Sequence, residues 1–171
     1  MAEDTIALLK PLSCHAIAAA SEGETPYCAA IDCTSAAPTP TTVDAGTIQS
    51  VASEYGVSPS LASAIAWQES GFNNAMVSSA NARGVMQVMP GTWDYVQENL
   101  AQRQLDPSSA TDNVHAGVMY LKQLLNQTGG DENTAIAGYY QGLASVRERG
   151  MYDDTQRYVA NVQALRSRFG G

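Results

Sequence analysis

The chain has 171 residues, 44% hydrophobic and 15% charged, which supplies a buried core and argues against global disorder. Its formal net charge of −8 excludes the basic surface on which nucleic-acid binding rests, and no apolar run is long enough to span a bilayer. One domain with length to spare is the expectation, acting as a monomer with no cofactor and no metal.

The charge is shared unevenly. In residues 1–44, Lys10 stands against Glu3, Asp4, Glu22, Glu24, Asp32 and Asp44, a net −5 that leaves −3 for the remainder. The segment begins Met-Ala-Glu-Asp, without the basic start and apolar stretch of a secretory signal. Thr5 to Leu12 reads as one short helix ended near Pro11, and Ser35 to Thr42 as an extended Pro/Thr/Ala linker that does not pack. Cys14, Cys28 and Cys33 all precede that linker's end. Cys28 and Cys33 can close a small loop in an oxidising compartment, leaving Cys14 over. Three inert thiols are the alternative, as is a metal site with His15, although the spacing matches no zinc pattern. The expected division is 1–44 as a Cys-containing segment with linker and 45–171 as the folded domain.

From Ala45 onward the pattern is helical. Asp44 or Thr47 caps a helix with Ile48, Val51 and Tyr55 on one face, broken at Gly56. Ser58-Pro59 opens a second, with Pro tolerated in the first turn, and Ser70-Gly71 ends it. Residues 73–88 hold at most a small irregular hairpin. A third helix starts at Pro90-Gly91 or Thr92 and carries Trp93, Tyr95, Val96 and Leu100. Ser108-Ser109 and Asp112 introduce a longer one with Val114, Val118, Leu121 and Leu125 inward, ending at Gly129-Gly130; His115 reads as a surface residue on it. Asp131 or Asn133 caps a helix from Thr134 to Tyr140. Gly150 is a stop, and Thr155 starts a last amphipathic helix through Tyr158, Val162, Leu165 and Phe169.

Glu69 closes the second helix, in the run Ala-Trp-Gln-Glu-Ser-Gly-Phe. A carboxyl group there meets the negative end of the helix dipole and apolar neighbours, and both favour its protonated form. An acid kept neutral can protonate a leaving group, as splitting a glycosidic bond requires. For this residue alone, a helix-end glutamate pointing into water is the competing reading.

Four further stations follow in order: Gly84-Val85-Met86-Gln87-Val88-Met89-Pro90; Asn113-Val114 with Gly117, Tyr120 and Leu121; Ala137-Gly138-Tyr139-Tyr140-Gln141-Gly142; and Tyr158-Val159 with Val162. With Glu69-Ser70, they resemble the catalytic domain of the soluble lytic transglycosylases, lysozyme-like enzymes that cut peptidoglycan. The family pattern is Glu-Ser, Gly-Leu-Met-Gln-x-Met-Pro, Asn-Ile-x-x-Gly-x-x-Tyr-Leu and Ala-Tyr-Asn-x-Gly, and the resemblance covers roughly residues 45–170. It implies a mainly α, lysozyme-like fold of the goose-type or SLT kind, glycan strands of peptidoglycan as partner, and a secreted or cell-wall location, with a phage origin open.

The resemblance also implies site residues. Glu69 would be the acid, Ser78 would contact substrate near it, Gln87 would hydrogen-bond an N-acetyl group or ring hydroxyl, and Met89 would pack against a sugar. Tyr139 would bring its hydroxyl near the acid. Met86 reads as core, and Arg83 and Trp67 as structural or groove-lining. Ser78 as an ordinary turn hydroxyl and Tyr139 as a core aromatic are the plainer alternatives.

A glycosidase ordinarily pairs two carboxyl groups. From Ser70 to Trp93 the chain has no Asp or Glu, and the next acid is Asp94; Asp94, Asp112 and Asp131 stay open as partners in space. The gap fits what the resemblance implies: one carboxyl group, first acid and then base, giving 1,6-anhydromuramoyl ends without water. A hydrolysing muramidase on the same fold and a non-catalytic peptidoglycan-binding component are the alternatives.

Two departures stand out. Asn81 replaces a usual Gly, and Asn tolerates positive φ. Tyr140 replaces the Asn of Ala-Tyr-Asn, and Gln141-Gly142-Leu143 the usual Ala-Gly-Pro, which predicts a different groove edge. This Tyr-Tyr-Gln-Gly form resembles a branch seen in actinobacterial cell-wall proteins.

Overall fold

The structure, a computed structural model, describes residues 41–171. The expected Thr5–Leu12 helix, the three cysteines and most of the linker lie outside the described residues. The linker's last two residues are exposed and joined to the following loop through the backbone: Thr42 pairs with Asn73, and Asn74 N–H donates to Thr41 O at 2.6 Å.

Among the described residues there are seven α-helices and no sheet. α1 (Ala45–Glu54) starts where Asp44 accepts from Thr47 N–H, and α2 (Pro59–Ser70) where Ser58 accepts from Leu61 N–H, with Pro59 at the first position. α3 is Pro90–Asn99, and α4 (Ala110–Gln127) is capped by Ser109. Asp131 caps α5 (Glu132–Gln141) by accepting from Asn133 and Thr134 N–H. α7 (Asp153–Arg166) begins two residues before the expected Thr155 and runs into a 3-10 turn, Ser167–Phe169, which holds Phe169.

The sequence pattern does not disclose α6 (Leu143–Arg149). It has seven residues, no side-chain cap, and a Gly142 start at φ 89°, so it lacks the two turns over which a 3.6-residue period shows. Instead of a hairpin, residues 73–88 form a loop with isolated bridges Val77–Arg83 and Arg83–Val88.

α2 is the central element. Ser60 through Ala66 are all buried, so the helix is covered on every side, by α1, α7 and the 3-10 turn among others. α4 packs on α1, α3 and α5, and α5 on α6 and α7. Along α4 the inward leucines are Leu121 and Leu124, while Leu125, expected inward, is only half-buried. His115 is likewise not a plain surface residue. Its Nδ1 lies 3.0 Å from the Tyr55 hydroxyl and its ring meets Tyr55 edge-on at 5.7 Å, tying α4 to α1.

The α3–α4 connection hangs on Asp112, which accepts from the Arg103 guanidinium and from Asp106 N–H at 2.8 Å. The Arg103 bond holds its carboxyl below the usual carboxylate range. Because the folded value is the lower one, the stabilisation is complete above the ordinary Asp range and disappears as pH falls through the folded value. Asp112→Asn should therefore cost about 1–2 kcal/mol at pH 7. In thermal melts from pH 7 to 2.5, the gap to the unaltered protein should narrow below about pH 4.

Candidate active site

α2 delivers Glu69 on its last turn and then stops abruptly. Gly71 takes the left-handed conformation (φ 61°), donating its N–H to Trp67 O at 2.9 Å. Phe72 is left-handed too (φ 70°), a conformation uncommon for such a residue, and it is held by edge-on packing on Trp67 at 5.2 Å. Trp67 is thus structural, and the Arg168 guanidinium lies over its ring, 4.1 Å from the centroid.

Ser70 fastens this helix end to the following loop. Its hydroxyl donates to Val85 O at 2.7 Å and accepts from Asn73 N–H at 3.0 Å. The Glu-Ser pair is therefore a carboxyl group plus its mooring. Ser70→Ala should lower stability by about 1–2 kcal/mol, which thermal melting checks.

The loop itself is held from α4 and α5. Asn113, 2% exposed, accepts from Met86 N–H at 2.9 Å and donates to Arg83 O at 2.9 Å. Gly84 (φ 78°) must be Gly, since a Cβ there would lie 2.5 Å from the Asn113 amide. On the next turn of α4, a Cβ on Gly117 would sit 2.5 Å from Met86 Sδ and 2.6 Å from its Cβ. The two stations containing Met86 and Asn113 are thus the two sides of one buried joint. Met86 is core, as expected, at 0% exposure.

From α5, the Tyr139 hydroxyl donates to Met86 O at 2.8 Å. Tyr139 is a buried core aromatic near Glu69: burial pushes its phenol well above the usual range, and the Glu69 charge adds to this. From α7, Tyr158 donates its hydroxyl directly to Glu69 Oε1 at 2.7 Å. Burial, and then the Glu69 charge, push that phenol well up as well, so it stays a donor. The Tyr140 phenol feels Glu69 too, after burial and Asp154.

The other expected residues share the loop. Gln87, 5% exposed at φ 47°, donates from Nε2 to Met76 O and Gly84 O, both at 3.0 Å. Its amide nitrogen thus closes the loop. Ser78 accepts from Ala82 N–H at 3.0 Å, the ordinary turn role, around Asn81 at φ 64°. Met89 is the half-buried residue preceding α3, and Arg83 is exposed with Nε on Asn81 Oδ1 at 3.0 Å.

Tyr158 is the residue that sequence reading underrates. It is visible there as part of the last station and as an inward position of its helix, but 89 positions separate it from Glu69. Of the later acids, Asp112 and Asp131 are engaged in the α3–α4 loop and the α5 cap, and Asp94 is exposed on α3. Asp154, not weighed from sequence, accepts from Tyr140 OH at 3.4 Å and Thr155 N–H at 2.9 Å.

An all-α domain whose buried central helix ends in one carboxyl group, backed by a tyrosine hydroxyl and facing a cross-braced loop, is of the lysozyme-like class. The family model described as Transglycosylase SLT domain matches residues 46–161, and the chain belongs to that family. It is 32% identical over 127 residues to the membrane-bound lytic murein transglycosylase C of Mannheimia succiniciproducens, covering 67% of this chain and 35% of that protein. It is 30% identical over 131 residues to the soluble lytic murein transglycosylase of Salmonella typhimurium, covering 63% and 20%. The fold matches an inactive glutamate-to-glutamine mutant of lytic transglycosylase Slt from Pseudomonas aeruginosa, with TM-score 0.66, 27% identity, and 73% and 23% of the two chains covered. The chain thus spans about a third or less of the length of these relatives.

Proposed function

We propose that the protein is a peptidoglycan lytic transglycosylase that cleaves the bond from N-acetylmuramic acid C1 to the C4 oxygen of N-acetylglucosamine, acting at the cell wall, with Glu69 as acid and then base. In the first half, the protonated carboxyl group gives its proton to the bridging oxygen as the C1–O bond breaks, and the substrate's acetamido oxygen bonds to C1. In the second, the Glu69 carboxylate takes the C6 hydroxyl proton while O6 displaces the acetamido oxygen. The product carries a 1,6-anhydro ring, Glu69 is protonated again, and no water is consumed.

The observation that carries this reading is the Tyr158–Glu69 hydrogen bond at 2.7 Å. A buried neutral donor fixes one carboxyl oxygen through both proton transfers without itself ionising. The engagement of Asp112 and Asp131 elsewhere supports one carboxyl group serving both steps. Gln87 would use Oε1 to accept from an N-acetyl group or ring hydroxyl of the sugar, its Nε2 being taken by Met76 O and Gly84 O, with Ser78 and Met89 as further substrate contacts.

Mass spectrometry of digested peptidoglycan tests it. Anhydro ends are expected. Reducing ends would indicate a hydrolysing muramidase, and an intact polymer a binding component.

A further inference from the structure

Tyr140 and Gln141 stand where the family pattern has Asn and Ala, and both side chains reach α7. The Tyr140 ring stacks on the Tyr158 ring, with centroids 4.5 Å apart and planes 21° apart. Its hydroxyl meets Asp154 on the first turn of α7. The residue preceding α7, Tyr152, makes no side-chain cap bond. Gln141, 9% exposed, ties this helix start to α5 instead: its Oε1 accepts from Tyr152 N–H at 3.1 Å and Thr155 Oγ1 at 2.7 Å. Its Nε2 donates to Gly150 O at 2.9 Å and Ser145 Oγ at 3.0 Å. Thr155 and Tyr158 are three residues apart, on one face of the helix. The end of α5 therefore fixes both the start of α7 and the ring that α7 presents to Glu69.

Stacking constrains a tyrosine in a way that mere space-filling does not. Rotation about χ2 leaves a phenol oxygen where it is, whereas a change in χ1 swings it away, and such a swing would pull the Tyr158 ring off the face of Tyr140 on which it lies. We propose that Tyr140 is a positioning residue for the acid, its stacked ring holding Tyr158 so that the Tyr158 hydroxyl stays on Glu69, with Gln141 fixing the helix that carries Tyr158. The Tyr-Tyr-Gln-Gly sequence is then one device: Tyr139 braces the loop, Tyr140 orients the donor, and Gln141 seats its helix. As a statement about turnover, this rests on the function proposed above.

The test separates the two. Tyr140→Leu keeps apolar volume without a planar ring, and Tyr140→Phe keeps the stack without the hydroxyl. Two readouts are taken: kcat and KM on peptidoglycan, and titration of the Glu69 carboxyl carbon by NMR, which needs no activity. The groups facing Glu69 in that titration are Tyr139 and Tyr140 of α5 and Tyr158 of α7.

Tyr140→Leu should lower kcat about tenfold with KM within twofold, and move the Glu69 midpoint upward as Tyr158→Phe does, because a donor to the carboxylate is lost. Tyr140→Phe should recover at least half of the unaltered kcat and the unaltered midpoint. In a Tyr158→Phe background, Tyr140→Leu should add little. A Tyr140→Leu midpoint equal to that of the unaltered protein overturns the proposal, as does a loss confined to KM, which makes Tyr140 a sugar platform. Equal losses in both backgrounds overturn it too. If the unaltered protein cuts no glycan while the midpoints shift as stated, the function reading fails and the positioning of Glu69 stands.

Discussion

Glu69→Gln should reduce glycan cleavage by roughly a thousandfold or more while leaving the protein as stable as before. The amide matches the carboxyl group in shape and can still accept the Tyr158 hydroxyl, which lies 2.7 Å from Oε1. It carries no proton to give, and it cannot take one from a sugar hydroxyl. Both halves of the proposed reaction stop at once. Release of soluble fragments from purified peptidoglycan measures the loss, and thermal melting checks the fold. An unchanged melting temperature is expected, since the amide fills the same space and its oxygen still accepts the Tyr158 hydroxyl. Retention of a tenth of the activity would place the acid elsewhere, with Asp154 the first residue to examine, because its carboxylate is joined to the Tyr140–Tyr158 stack through the Tyr140 hydroxyl.

What could be read from the sequence and what could not divides by the range of the interaction. Asp44, Ser58 and Asp131 were readable as caps because a cap is local, each side chain accepting an N–H two or three residues on. Gly71 was readable as a stop because its left-handed backbone costs a residue with a side chain more. The helix end that carries Glu69 was legible for the same reason, whereas its standing as candidate acid came from the resemblance that the later stations carry.

The partners were not legible, because each is set by packing between distant helices. Tyr55 and His115 are 60 residues apart, and their pairing turns an apparent surface histidine into a tie between α1 and α4. Gln87 carried a motif signal, yet that signal does not say that the carbonyls of Met76 and Gly84 take its amide nitrogen. Tyr140 was legible only as a departure. Its stack on Tyr158 depends on the angle at which α5 meets α7, which no local pattern encodes.

Asn113→Ala should be the most damaging single change outside the acid, costing about 3 kcal/mol of stability and a further loss of turnover in the protein that remains folded. The side chain is 2% exposed and makes two bonds to one loop, accepting from Met86 N–H and donating to Arg83 O. Alanine leaves the buried Met86 N–H unpaired, at about 1–3 kcal/mol, and removes one of two bonds to Arg83 O, which keeps Val88 N–H at 2.9 Å. The loss of turnover follows from Met86, whose carbonyl receives the Tyr139 hydroxyl at 2.8 Å. When the Met86 peptide shifts, the brace next to Glu69 shifts with it.

Asn113→Asp separates the two bonds. It keeps an acceptor for Met86 N–H but, when ionised, turns an oxygen toward Arg83 O. Burial, that carbonyl and neighbouring Asp112 all favour the protonated form, against one N–H that favours the charged form, so the folded pKa of the new carboxyl group should be raised. With the folded value the higher one, its protonated form supports the fold fully below the ordinary Asp range, and that support is lost as pH rises toward the raised value. Melts compared with the unaltered protein should show the Asn113→Asp deficit growing from about pH 4 upward, while the Asn113→Ala deficit stays flat. A flat Asn113→Asp deficit would mean that solvent reaches the joint and that Asn113 does not brace the loop as a dry, buried link.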